Sequence, residues 1–220
     1  MNCLATIGLG LIGALAGVPV AAIAYSTPAS GPVGLPARWW TGSPAQPGTV
    51  LTTAALTATT AAIVGATVPT GIALPAFWAF AILGVGLAII DVRRRRLPHR
   101  LTGALWALCG LSFLGASIVN GSIEPLLRAA GVGVATITIM LTIALALPGQ
   151  LGFGDVVFAG AVTFSLAWLS WHAAVLGLLA GLFIQAAVAG AVGIRRRDAA
   201  VAPMGPALMA GWLLGVAGSP

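Results

Sequence analysis

Apolar residues run through this chain in long blocks, separated by short stretches where polar residues, glycine and proline collect. Neither a half-buried strand nor a soluble amphipathic helix has this pattern: the blocks are apolar on every face and do not alternate. A helix needs about 20 apolar residues to cross a hydrocarbon core. On that basis the pattern predicts spans over Leu4–Ala24, Leu51–Val68, Ile72–Ile90, Leu101–Val119, Ala129–Leu147, Val156–Ser170, Ala173–Ile194 and Pro203–Val216. Backbone N–H and C=O groups in lipid must find partners within their own segment or in a closed barrel. Because nothing alternates like a barrel strand, the expected fold is all-α, a polytopic membrane helical bundle of eight transmembrane helices. The first block lacks the basic n-region of a signal peptide and is read as a helix.

Composition agrees with the pattern: 59% of the 220 residues are hydrophobic and 6% are charged. This excludes a soluble domain of useful size, so residues 1–220 are read as a single integral membrane domain. The net charge of +6 raises nucleic acid as a partner, but the ten basic residues are all arginines clustered beside apolar blocks. Charge that sets membrane orientation explains them, and no nucleic-acid partner is expected. With Arg93–Arg96 and Arg100 on the cytoplasmic side, eight alternating spans also place Arg38 and Arg195–Arg197 there. Only Arg128 is left outside, and both termini are external. Cys3 and Cys109 have no paired spacing for a disulfide or a zinc site and read as packing residues. The pairs Gly13/Gly17, Gly177/Gly181 and Gly211/Gly215 have the spacing of close helix contacts. Arg38-Trp39-Trp40, in the Pro- and Gly-rich stretch 25–50, reads as a headgroup-level segment.

Chemistry rests on the four acids. Glu124, four residues before Arg128, reads as half of an exposed ion pair, and Asp198 as a solvated loop charge beside Arg195–Arg197. Asp91 and Asp155 differ, because each joins the cytoplasmic end of an apolar helix, where an ionisable group is costly unless partnered or used. If the third and sixth helices pack together, the two carboxyls share a depth and one proton. They then form the acid and base that split a peptide bond through an activated water. The helix dipole favours the anion at Asp155, which opens a helix, and disfavours it at Asp91, which closes one. That assigns Asp155 as base and Asp91 as acid, although Arg93–Arg96 oppose the second half. Gly149, Gly152 and Gly154 flank Asp155 and permit close backbone approach. With 30 glycines and three aspartates, chance yields about 0.06 Gly-x-Gly-Asp sequences, so the motif at Gly152–Asp155 carries information.

These segments resemble the type IV prepilin peptidases, Gly-x-Gly-Asp membrane aspartyl proteases of bacterial and archaeal cytoplasmic membranes. "IIDVRRRRLPHRLT" is similar to the family's first aspartate segment, "GQLGFGDVVFAGA" to its second, "APMGPALMAG" to its late Gly-Pro motif, and "LIGALAGVPVAAIAYSTP" more loosely to its first helix. The resemblance implies that Asp91 and Asp155 are the catalytic pair, with Gly149, Gly152, Phe153, Gly154, Pro98, Gly205 and Pro206 shaping the site. It implies an endopeptidase with no cofactor and no metal, which removes short basic leaders from pilin, pseudopilin or Flp-type precursors at the cytoplasmic face. Its partners would be the precursor helix, membrane lipid, and the pilus or secretion assembly machinery. His99 stands where the family has Asn, and Val157 where Lys is frequent; His99 reads as an interfacial turn residue. Residues 25–50 form a short cytoplasmic loop without cysteine, where longer members insert a zinc-bearing domain linked to N-methylation. Cleavage without methylation is therefore expected.

Other readings compete with this one. A proton-coupled carrier would use the two acids as a relay, but nearer the bilayer midplane. A catalytically silent assembly protein would keep the fold alone. An intramembrane protease of the signal-peptide-peptidase or presenilin type shares Gly-x-Gly-Asp but usually has Tyr before the first aspartate, where Ile90 stands here.

Overall fold

The computed structural model describes residues 3–28, 31, 33–147, 151–195 and 202–219, without the side chains of 5 and 192–195. Among the described residues all regular structure is helical, in two compact units, Met1–Ser122 and Ile123–Pro220. The first unit holds α1 (Cys3–Ser26), α2 (Pro47–Thr67), α3 (Leu74–Arg94) and α4 (His99–Asn120). The second holds α5 (Glu124–Ala146), α6 (Phe153–Leu169), α7 (Trp171–Arg195) and α8 (Gly205–Ala217).

Each predicted block is a helix. Six of the helices, α1 to α5 and α7, are long and apolar enough to cross a membrane, which makes this a polytopic membrane protein. The other two are apolar but fall short of the roughly 20 residues of a full span, at 17 residues for α6 and 13 for α8. At 1.5 Å per residue, α8 is about 20 Å long against a core of about 30 Å. Large apolar side chains such as Leu4, Leu15, Leu111, Ile118 and Leu145 are exposed, as a surface solvated by lipid requires.

Lipid tails are as apolar as leucine, so helix association depends on fit and on polar contacts rather than on escape from water. Small residues supply the fit. A Cβ on Gly13 would lie 2.7 Å from the Ala61 Cβ and from the Thr57 carbonyl oxygen, so α1 and α2 approach backbone to side chain. A Cβ on Gly211 would lie 2.8 Å from the Gly181 Cα, and one on Gly215 would lie 2.8 Å from the Ala173 carbonyl oxygen. The glycine pairs read from the sequence are therefore contact faces of α1 on α2 and of α7 on α8.

Several polar groups inside the units bond locally or between helices, while Ser117 Oγ and Gln185 Oε1 are buried with no hydrogen-bond partner among the described residues. Thr57 and Thr53 return their hydroxyls to carbonyls four residues earlier, at 2.9 and 2.7 Å. Thr60 reaches the Ala81 carbonyl of α3 at 3.3 Å. In the second unit the Trp212 indole N–H donates to Ser165 Oγ at 2.8 Å, and Thr163 donates to Thr136 at 3.0 Å. Apolar bulk fills the rest. Phe77 of α3 and Phe113 of α4 pack with ring centroids 5.7 Å apart, and Phe158, Leu166, Leu208 and Trp212 are fully buried.

One helix in each unit is enclosed by the others. In the first it is α3, which packs on α1, α2 and α4; in the second it is α6, which packs on α5, α7 and α8. Asp91 and Asp155 belong to these two helices.

The exposed Glu124–Arg128 ion pair is corrected. Arg128 is half-buried and turns its guanidinium to the C-terminus of α6, donating to the carbonyls of Ala167 at 2.7 Å and Trp168 at 2.9 Å. A helix end leaves its last four carbonyls without intrahelical partners and carries partial negative charge, so a cation there outcompetes a solvated carboxylate one turn away. The packing role holds for Cys109, which is buried in α4, and fails for Cys3, which is exposed at the start of α1.

Candidate active-site segments

Asp91 is on the last full turn of α3. The sequence predicted that the helix would close at Ile90, but it continues through Arg94 and stops when Arg95 adopts the left-handed conformation, with φ of 50°. The Arg95 N–H then donates to the Asp91 carbonyl at 2.7 Å. Three residues later Pro98, buried, caps α4, and its carbonyl accepts the N–H groups of Leu101 and Thr102. Pro98 fits there because proline has no N–H to lose and its fixed φ suits a helix entry. This tight connection holds the aspartate beside the basic turn.

The Asp91 side chain is 5% exposed, in a helix whose neighbouring buried residues, Leu87 and Ile90, are apolar. A carboxyl taken from water in this way costs free energy that only partners or a use repay. Two of the neighbouring arginines bond to backbone carbonyls of the connection after α1 and its helix end. Arg93 donates to the Ala24 carbonyl at 2.8 Å, and its guanidinium carbon lies 3.7 Å above the Tyr25 ring, which ties the C-terminal ends of α1 and α3 together. Arg96 donates to the Gly31 carbonyl at 2.9 Å. The connections after α1 and α3 therefore share one end of the first unit, as the orientation argument required for Arg38 and Arg93–Arg96. Neither tie was legible in sequence, because carbonyl acceptors leave no residue-type signal.

Asp155 occupies the third position of α6. Gly152 is the N-cap, and its N–H donates to the Asp155 carboxylate at 3.2 Å. This is half of a capping box. The other half needs a cap side chain, which glycine lacks. A Cβ on Gly152 would stand 3.0 Å from the Asp155 carboxylate oxygen, so a side chain would crowd the bond. Asp155 and Gly154 are half-buried, while Gly152 and Phe153 are exposed. Arg128 grips the opposite end of α6, so within this unit the acid and the lone predicted external arginine are at opposite ends of one helix.

The remaining candidates fall into place unevenly. Gly205 is buried and Pro206 half-buried at the start of α8, with proline again in the first turn. The connection before them is held by Gln185 of α7, whose amide donates to the Ala202 carbonyl at 2.9 Å. Gly149 lies outside the described residues, as do Asp198, Arg196 and Arg197. His99 is exposed as the first residue of α4. Among the described residues no three His, Cys, Asp or Glu side chains group as metal ligands.

No curated protein and no solved structure matches the chain. The model of the type IV leader peptidase family matches residues 77–194. That stretch begins in α3 and ends in α7, covers more than half of the chain, and includes Asp91, the basic turn, Gly152–Asp155 and α6. With the polytopic helical fold and the two aspartate segments both inside the match, the chain belongs to the type IV leader peptidase family, a family of aspartic-type peptidases.

Proposed function

We propose that this protein is a prepilin leader peptidase that uses Asp91 and Asp155 as its catalytic pair. The observation that carries the reading is the family match, which takes in both aspartate segments and the acid Asp91, 5% exposed near the end of an apolar helix. Asp155 supports it from the second unit, as an acid fixed at a helix start.

In the reaction a water held between the two carboxyls attacks the scissile carbonyl carbon. Asp155, as base, takes the water proton, and Asp91, as acid, protonates the carbonyl oxygen. The tetrahedral intermediate then breaks its C–N bond as Asp155 passes the water proton to the departing amine and the Asp91 carboxylate takes back a hydroxyl proton while the carbonyl re-forms. The N–H of Gly152 and the start of α6 stabilise a carboxylate at Asp155, which suits the base role. The substrate is a precursor whose short basic leader lies in the cytosol and whose apolar helix enters the membrane. Gly152 and Phe153, exposed at the start of α6, and the half-buried Gly154 take the extended leader junction in this reading. In this reading Gly149, Pro98, Gly205 and Pro206 are site-shaping residues of the same peptidase chemistry. The active site faces the cytoplasm of a bacterial or archaeal cell, both termini face out, and residues 1–220 act as one domain. The chain cleaves without methylating, since residues 25–50 contain no cysteine for the zinc-bearing insertion of longer members.

The test is co-expression with candidate precursors encoded nearby. Leader removal is expected from the wild type and lost in Asp91→Asn and in Asp155→Asn. Unchanged processing in either variant removes the mechanism.

A further inference from the structure

The turn between α3 and α4 carries cationic groups that the peptidase chemistry does not use. A cavity of about 350 Å³ opens there, lined by Gly31 and Val33 from the α1–α2 connection and by the run from Arg96 to Arg100. Its lining includes Arg96, Arg100 and His99 and, among the described residues, no carboxylate. The exposed Arg94 and Arg95 do not line it.

Arg96 gives this cavity a specific demand. One of its terminal nitrogens is bound to the Gly31 carbonyl, while its Nε is buried and has no hydrogen-bond partner among the described residues. A desolvated guanidinium N–H is costly without an acceptor, and the planar fork of arginine matches a phosphate oxygen pair. The start of α4 adds to this. Leu101 is the first residue whose N–H bonds back to the Pro98 carbonyl, so the helix turns its positive end toward His99 and Arg100.

Position decides the source of the anion. The cavity lies where the apolar lengths of α3 and α4 end and where the chain leaves α1, three helices long and apolar enough to cross the bilayer. That is headgroup depth, where phosphodiesters are concentrated. We propose that the Arg96–Arg100 turn is a binding site for the phosphate of an anionic phospholipid headgroup, with Arg96 and Arg100 as its ligands. The bound phosphate satisfies Arg96 and pins the α1–α2 connection to the turn that follows Asp91. The site stands on this cavity alone and holds whatever the fate of the peptidase reading.

The full chain in nanodiscs of phosphatidylcholine containing a minor share of phosphatidylglycerol tests it, with bound lipids counted by native mass spectrometry. The wild type is expected to retain phosphatidylglycerol in preference to phosphatidylcholine, and R96Q/R100Q to bind it more weakly by about tenfold or more, the loss of at least one charge-assisted hydrogen bond. R94Q/R95Q removes the same charge beside the cavity and is expected to keep the preference. Equal loss in both double variants would reduce the effect to unspecific surface charge and overturn the site, as would a preference that survives R96Q/R100Q. In pure phosphatidylcholine nanodiscs, inorganic phosphate at millimolar concentration is expected not to raise the melting temperature. A rise there, without phosphatidylglycerol retention, would assign the cavity to a free anion and overturn the lipid source.

Discussion

The backbone N–H of Gly152 donates to the Asp155 carboxylate at 3.2 Å, so the acid proposed for catalysis also closes the first turn of its own helix. Two roles on one side chain can be separated by substitution. Asp155→Asn keeps an acceptor oxygen and should leave the melting temperature nearly unchanged while abolishing leader removal. Asp155→Ala removes the acceptor too and should cost about 1 kcal/mol of stability in addition. Thermal melts in detergent beside the processing assay check both. A variant Asn that still cleaves would leave Asp155 with the cap alone.

Arg95 ends α3 at φ 50°, a conformation that side-chain-bearing residues adopt at a cost of about 1 kcal/mol and that glycine adopts freely. Arg95→Gly should therefore keep or raise stability, by up to about 1 kcal/mol, in spite of the lost charge. A melt that falls by several degrees would show that the Arg95 side chain contributes more than its backbone costs.

Arg128 binds the carbonyl end of α6. Arg128→Gln should destabilise the protein by about 2 kcal/mol, since part-buried charge-assisted bonds to the end of α6 are lost, whereas Glu124→Gln should change little. Equal effects of the two would restore the ion pair expected from the sequence. A double-mutant cycle measures the coupling directly.

Gly211 is where α7 and α8 touch. Gly211→Ala places a methyl against Gly181 and should cost about 1 to 3 kcal/mol through overpacking, while Gly131→Ala, which meets open space, should be neutral. Chemical or thermal unfolding of the two variants side by side tests this.

The helices were legible in the sequence because lipid leaves the backbone so few options, and the glycine pairs because small residues are what close helix contacts need. What escaped depends on acceptors and backbone angles. α3 overran its predicted end by a turn, since Arg95, with no glycine signal, supplied the left-handed stop. Arg128 was assigned to the nearest acid in sequence, although its acceptors are backbone carbonyls about 40 residues away, and carbonyls look the same in every residue. Both aspartates stand out in the sequence because charge is so scarce in an apolar chain. The lining of the turn at Arg96 was not, since a cavity forms between segments whose approach no local pattern encodes.

The proposed chemistry requires Asp91 and Asp155 to meet across a water, and cross-linking tests this most directly. In a Cys3→Ser, Cys109→Ala background, Asp91→Cys with Asp155→Cys should be joined efficiently in native membranes by a short bifunctional thiol reagent, and Arg128→Cys with Asp91→Cys should not. Failure of the first pair to join, with each single cysteine still labelled by a monofunctional reagent, would contradict a shared catalytic centre.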